Sequence, residues 1–324
     1  MSATGGIGPA LGRRLCPADP ATIRARPESG DRPGQGGSEF FGRGTLRRRL
    51  TPSTSRCEGG SAVGGGTLTS TRIDLNCDLG ESFGAWRMDV DPQVLRRISS
   101  ANVACGFHAG DAMAMEEAVC SCRTHNVAVG AHPGFPDLMG FGRREMSVSP
   151  REARNYLLYQ VGALVAFCRS AGVDLQHVKP HGALYNAAAG DARLAEGLID
   201  GMLHLQPRPI LLALSGSCLA RLAAEAGLRV GHEVFADRAY NSDGRLVSRA
   251  APGAVIDDPE AVARRAVRMI RDGEVETIDG GIIAVRADSI CVHGDTPRAA
   301  EIVLRLADAL EQAKIEVVAL RDLV

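Results

Sequence analysis

The chain has 324 residues, 45% of them hydrophobic, enough for a substantial core in one large domain or two ordinary ones. A formal net charge of −1 gives no basis for nucleic-acid binding, and no uninterrupted apolar stretch reaches membrane-spanning length. Nine cysteines without a CxxC pair exclude zinc-finger spacing and a secreted disulfide framework, and fit a reducing cytosol.

Charge is uneven along the chain. Residues 1–72 carry 11 Arg against 5 acids, whereas residues 73–324 carry 26 basic against 33 acidic residues. The head is rich in Gly, Pro, Ser, Thr and Arg, as in GGSEFFGRGTLRRRL, and lacks sustained apolar periodicity. Such a segment cannot bury enough surface to offset its ordering entropy, so 1–72 is expected to be a disordered extension. It has no apolar run of signal-peptide length; a start codon assigned too far upstream is the plainer explanation, and an Arg-rich organellar transit peptide is the alternative.

From Ile73 onward, short apolar strands alternate with longer helical patterns. The spacing predicts strands at 73–80, 101–107, 127–132, 177–182, 209–214, 230–237, 289–295 and 315–320. Helices are expected at 91–98, 111–125, 149–171, 191–205, 216–227, 258–272 and 296–313. SPREA at 149–153, DDPEA at 257–261 and TPRAA at 296–300 supply start signals. Residues 274–288 read as a hairpin turning at Asp279-Gly280. Repeated βα units imply a parallel sheet with crossover helices, and seven or eight of them in one domain, 73–324, favour a closed (β/α) barrel over a doubly wound sheet.

Six strands end in polar clusters: DLGE (78–81), HAGD (108–111), HPGF (132–135), KPHG (179–182), FADR (235–238) and HGD (293–295). In a parallel barrel these ends share one mouth, where active sites are built. Strand parity agrees, because successive side chains alternate between faces. Asp74, Asn76 and Asp78 share one face; so do Asn102, Gly106 and His108; His177, Lys179 and His181; Glu233 and Asp237; and Cys291, His293 and Asp295. His132 falls with Ala128 and Gly130. The alternate positions, such as Ile73, Leu75 and Val103, are apolar and suit the outer helices. A single polar residue in a strand is ordinarily a satisfied core hydrogen bond. Six strand ends of matching parity instead indicate an ionisable interior, which is costly unless used.

Lys179 and Lys314 are the only lysines among 37 basic residues. Chance in an arginine-biased sequence is the bland explanation for a lysine between two histidines. The alternative is that this position needs a compact charge with a movable pKa, which a guanidinium cannot supply. Cys291 is the one inward cysteine of these motifs and reads as a small buried filler. Phosphate-loop, dinucleotide-fingerprint, nucleophile-elbow and HExxH patterns do not occur.

The motifs DLNCDLGE, NVACGFHAGD, GAHPGFPDLMGFGRR, VKPHGALYN, EVFADRAYNSDGRLVSR and CVHGD, in this order, resemble the A-subunit family of bacterial 5-oxoprolinase, also called the LamB/YcsF family of lactam-utilisation proteins. The resemblance covers about 73–324. It implies a distorted TIM-like barrel of the glycoside hydrolase and deacetylase type. It implies ATP-dependent opening of 5-oxo-L-proline to L-glutamate, with partner subunits B and C and ATP as co-substrate; the cysteine usage already points to the cytoplasm. A lactam amide resists water; phosphorylating its carbonyl oxygen makes the carbon electrophilic, and the attacking water must then be deprotonated.

For that chemistry Lys179 is expected to hold a substrate carboxylate or phosphate oxygen, assisted by Arg238 and Arg144. Asp78, His108, His132, His181, Asp237 and His293 are the acid, base and orienting candidates. Asn76, Glu81, Asp111, Glu233 and Asp295 are expected to contribute to substrate binding. Two other readings stay open: a metal-dependent deacetylase or hydrolase using Asp78, His108 and His181, and a non-catalytic binding component. The divalent-metal question is left undecided by the sequence.

Overall fold

The computed structural model describes residues 72–88, 91–292 and 298–324. The expected extension, 1–72, lies outside the described residues except for Arg72.

Seven parallel strands form a closed ring. β1 (Arg72–Leu79), β2 (Ser100–Ala104), β3 (Ala128–His132), β4 (Leu175–Val178), β5 (Ile210–Leu214) and β6 (Val230–Phe235) pair in sequence. The ring closes through a later strand, Ser289–Val292, which pairs with both β6 and β1. Between β6 and that closing strand lies the expected hairpin, β7 (Glu274–Glu276) with β8 (Ile282–Ala284), antiparallel. The closing strand is therefore β9, and β10 (Glu316–Val317) pairs with the start of β1. Of the expected strand 315–320 only Glu316–Val317 is ladder; Val318 N–H still donates to Ile73, and Leu320 already begins a 3-10 turn.

Helices cover the outside of the ring: α1 (Pro92–Leu95), α2 (Ala112–His125), α3 (Pro150–Ala171), α4 (Gly182–Gly190), α5 (Ala192–Leu203), α6 (Cys218–Glu225), α7 (Pro259–Arg271) and α8 (Ala299–Gln312). α3 starts as its sequence directs. Ser149 and Glu152 form a capping box, Pro150 occupies the first turn, and Gly172 ends the helix in the left-handed conformation. Asp258 caps α7 by accepting from Ala261 N–H, with Pro259 in the first turn. α4 is an addition to the expected elements, inserted directly after the KPHG segment.

The apolar core lies between ring and helices. Ile73, Leu75, Cys77, Val103, Cys105, Val129, Ala131 and Val178 point outward into it, as their parity requires. The inside of the ring is largely polar. Its N-terminal end is closed by the C-terminal segment, where Leu320 packs on Ile210 and Leu212 and Arg321 N–H donates to Gln176 Oε1. Among the described residues no helix is long and apolar enough to cross a membrane.

Candidate functional site

The interior polar residues form a ladder running from the N-terminal end of the ring to its mouth. At the lowest level Asp74 accepts hydrogen bonds from Ser99, Ser100 and Ser289. Burial pushes its carboxyl up to about 6, against the lowering effect of those hydroxyls.

At the middle level the hydrogen bonds run in a defined direction. Gln176 Nε2 donates to His177 Nδ1 (3.1 Å), so His177 Nε2 carries the proton and donates to Asn102 Oδ1 (2.7 Å). Asn102 Nδ2 then donates to Asn76 Oδ1 (2.7 Å) and Asp78 Oδ1 (2.9 Å). Burial, with Lys179 close by, drives the His177 pKa down to about 3, so this ring is neutral. Its place is made by Gly130: a Cβ there would sit 2.0 Å from His177 Nε2. Asn76 Nδ2 donates onward to Glu233 Oε1 (2.9 Å) and Ser289 Oγ (2.7 Å).

Lys179 stands above this level. β4 ends at Val178, yet the backbone N–H groups of Lys179 and His181 still donate to the carbonyls of Ala131 and Pro133. The segment therefore keeps strand parity, and both side chains stay inside. Lys179 Nζ lies 2.8 Å from Glu233 Oε1, 2.9 Å from Cys291 Sγ, 3.2 Å from Asn76 Oδ1 and 3.6 Å from Asp78 Oδ1. Burial opposes its charge, but the Asp78 and Glu233 carboxylates, with the hydrogen bond to Cys291, outweigh that and hold its pKa well above the ordinary lysine value. The site thus uses the compactness expected of a lysine; the movable pKa is held upward, making Lys179 a fixed cation. The Cys291 thiol is pushed well up by burial and stays protonated, in keeping with a packing role.

At the mouth, three histidines converge. The rings of His108 and His181 stack at 3.7 Å with 4° between their planes, and His132 meets both edge-on. His132 Nε2 lies 3.3 Å from Asp78 Oδ1, and His108 Nε2 lies 3.6 Å from Glu81 Oε1. Burial, then the neighbouring histidines, hold His108 and His181 well below the ordinary imidazole pKa. Gly142, at φ +64°, lets the following loop cross this stack; a Cβ there would meet His108 Cβ at 2.7 Å and His181 Cδ2 at 2.8 Å. Glu81, His108, His132 and His181 offer ligand atoms within 4.8 Å of one another, the arrangement a metal ion requires.

An open cavity of about 840 Å³ lies over this floor. Asp78, His132, Lys179 and His181 line its base, and Arg143, Arg238, Arg245 and Arg249 its sides. Arg238 is buried, with its guanidinium donating to the carbonyls of Ala254 and Val247; burial, followed by Arg249, lowers its pKa to about 10.

Several expected residues are placed elsewhere. Arg144 is turned outward, two-thirds exposed, and pairs with Asp137; its neighbour Arg143 faces the cavity instead. Asp111 caps α2 and accepts from Gly84 N–H, away from the cavity. Asp237 is fully buried and does not line the cavity. Asn76 and Glu233 lie beneath Lys179 and brace it. His293 and Asp295 fall outside the described residues, as does Thr296 of the expected α8 start signal.

Tyr185 is a cavity residue that the motifs did not single out. It stands on α4 and donates to Glu233 Oε2 at 2.7 Å. Its signal was present in VKPHGALYN, one helical turn after His181.

The profile of the LamB/YcsF family matches residues 73–324. The 5-oxoprolinase A subunit from Pyrococcus abyssi is 54% identical over 253 residues, covering 78% of this chain and 99% of that protein. That from Syntrophobacter fumaroxidans is 53% identical over 249 residues, covering 77% and 98%. A crystal structure of a lactam utilization protein from Thermus thermophilus superimposes with a TM-score of 0.72 at 49% identity, covering 76% of this chain and 99% of that one. The chain belongs to the LamB/YcsF family.

Proposed function

We propose that this chain is the A component of an ATP-dependent 5-oxoprolinase, opening 5-oxo-L-proline to L-glutamate together with subunits B and C. The observation that carries the reading is Lys179: a charged ammonium at the floor of an open cavity, 3.6 Å from an Asp78 carboxylate that also meets His132 at 3.3 Å, in a chain about half identical to proteins of that name.

The residues present suit the chemistry. Lys179, with Arg143 and Arg238 on the walls, matches the carboxylate of the substrate or a phosphate oxygen formed on its carbonyl. Asp78 contacts both the ammonium and His132, and this pair suits the place where a water attacking the activated carbon must lose its proton. The cavity exceeds what a five-membered lactam needs, leaving room for a phosphorylated form. An ATP-consuming step of this kind belongs in the cytoplasm. A second reading, a metal-dependent amide hydrolase, is favoured by the Glu81/His108/His132/His181 group.

The test is glutamate release from 5-oxoproline and ATP by this chain alone and with subunits B and C. Glutamate is expected only from the full mixture. Lys179→Arg should lower that rate by roughly 10²–10³-fold, the usual cost of losing one preorganised charge-stabilising donor. No glutamate from a mixture whose B and C components are active with another A component would overturn the assignment in favour of the hydrolase.

A further inference from the structure

His132 and His181 make one hydrogen bond too many for two neutral rings. His132 Nδ1 lies 2.8 Å from the carbonyl oxygen of Lys179, and His181 Nε2 lies 2.8 Å from that of Phe141. A carbonyl only accepts, so each of these nitrogens carries its ring's proton. The remaining nitrogens, His132 Nε2 and His181 Nδ1, are then bare lone pairs, yet they face each other at 3.0 Å. Asp78 Oδ1, also an acceptor, is 3.3 Å from the same His132 nitrogen. Asp78 Oδ1 accepts from Asn102 Nδ2, but no described hydrogen bond supplies a donor between the two facing ring nitrogens.

His108 adds a second, independent observation. It is fully buried, and neither ring nitrogen has a hydrogen-bond partner. Buried imidazole nitrogens are ordinarily paired. Its Nε2 points toward Glu81 Oε1, 3.6 Å away.

We propose that His108, His132 and His181, with the Glu81 carboxylate, form a binding site for one divalent transition-metal ion. A cation between the two facing lone pairs removes their repulsion and gives His108 a partner. The ligand atoms lie within 4.8 Å of one another, against about 3.4 Å for ligands around a tetrahedral ion with bonds of about 2.1 Å, so the site forms by small side-chain rotations that open the His132–His181 pair from 3.0 Å and bring the wider-spaced ligands in. Three imidazoles and one carboxylate select zinc, cobalt, nickel or ferrous iron over calcium or magnesium, which take oxygen ligands. The backbone carbonyls of Lys179 and Phe141 are the outer partners that fix ring orientation and tautomer in such sites. His132 and His181 also line the cavity, so the ion borders the space where substrate binds.

The site rests on the geometry of these side chains and does not depend on the proposed reaction. Its test therefore needs neither partner subunits nor substrate. Purified full-length chain is stripped with a chelator, reloaded with Co²⁺ or Zn²⁺, and assayed by elemental analysis and visible absorption. One equivalent per chain is expected, with the d–d bands of a four- or five-coordinate Co²⁺ site. His108→Ala and Glu81→Gln should weaken Zn²⁺ binding at least about 10–100-fold. Zn²⁺ should raise the melting temperature of the unsubstituted chain, a readout that needs no variant to fold. Absence of bound metal in the unsubstituted chain, or binding that both substitutions leave unchanged, would overturn the proposal and assign a shared proton to the His132–His181 pair.

Discussion

Lys179 Nζ and Glu233 Oε1 lie 2.8 Å apart with both side chains essentially sealed from solvent. Tyr185 holds the other Glu233 oxygen, and Asn76 bonds to both members of the pair. Removing one partner of a buried ion pair leaves an uncompensated charge. Glu233→Ala should therefore cost about 3–5 kcal/mol in urea unfolding. The double variant Lys179→Met/Glu233→Gln should recover much of that stability, since an uncharged pair carries no such penalty. A single-variant loss below about 1 kcal/mol would show that Asp78 alone suffices for Lys179.

Asp74 makes stability depend on pH in an unusual direction. Its native carboxyl titrates near 6, whereas the unfolded chain releases that proton near the ordinary value of 3.8. Between these values the native state holds the additional proton. The stability from this group is fully present below about pH 4 and is lost as pH rises through 6, about 3 kcal/mol in all. Asp74→Asn carries no titrating group. The difference in unfolding free energy between variant and parent should shift in the variant's favour from pH 4 to 7. A pH-independent difference would refute the shifted titration.

Two glycines make a matched pair. At Gly130 a Cβ would overlap the His177 ring, so Gly130→Ala should destabilise by at least about 1–3 kcal/mol and break the bond to Asn102. Gly162 lies on the exposed face of α3 with nothing within 4 Å of an added Cβ. Gly162→Ala should stabilise by roughly 0.5–1 kcal/mol, the helix-interior difference between the two residues. Thermal melts of both variants check the contrast, and equal effects would refute it.

Adjacent arginines should part company in kinetics. Arg143 lines the cavity and lies over the Phe141 ring at 5.0 Å, whereas Arg144 Nε donates to Asp137 at 2.9 Å. In the complete enzyme mixture, Arg143→Ala should raise KM by about 10–100-fold, the equivalent of one or two lost charge-assisted hydrogen bonds. Arg144→Ala should leave KM within about twofold, since an exposed pair contributes little. Reversed effects would mean that the loop reorganises around substrate.

The polar ladder was legible because strand parity is a rigid rule: Asp74, Asn76, Asp78, Asn102 and His177 all point where alternation put them. Lys179 and His181 obeyed it even beyond the last residue of β4, because their N–H groups continue the ladder to β3. α4 was not legible. His181 precedes it without a side-chain cap, and a glycine fills its first position, so the start signals of other helices are missing. Tyr185 was lost with it. The choice between Arg143 and Arg144 falls in a turn containing Phe141 and Gly142 at positive φ, where no side-chain period applies. The crossing of three histidines with Glu81 depends on distances between loops, which sequence spacing does not encode.

The interior ladder also limits how this protein can change over time. Asn102 alone touches Asn76, Asp78 and His177, and each of those touches something further along. A substitution at one rung strands a donor or acceptor on the next, so single steps are penalised while certain paired steps are not. Neutral drift inside the ring must therefore proceed by compensated pairs, and substitutions there should be strongly epistatic. The outward Ile, Val and Leu positions make no hydrogen bonds through their side chains, so they can exchange one at a time for apolar residues of similar volume.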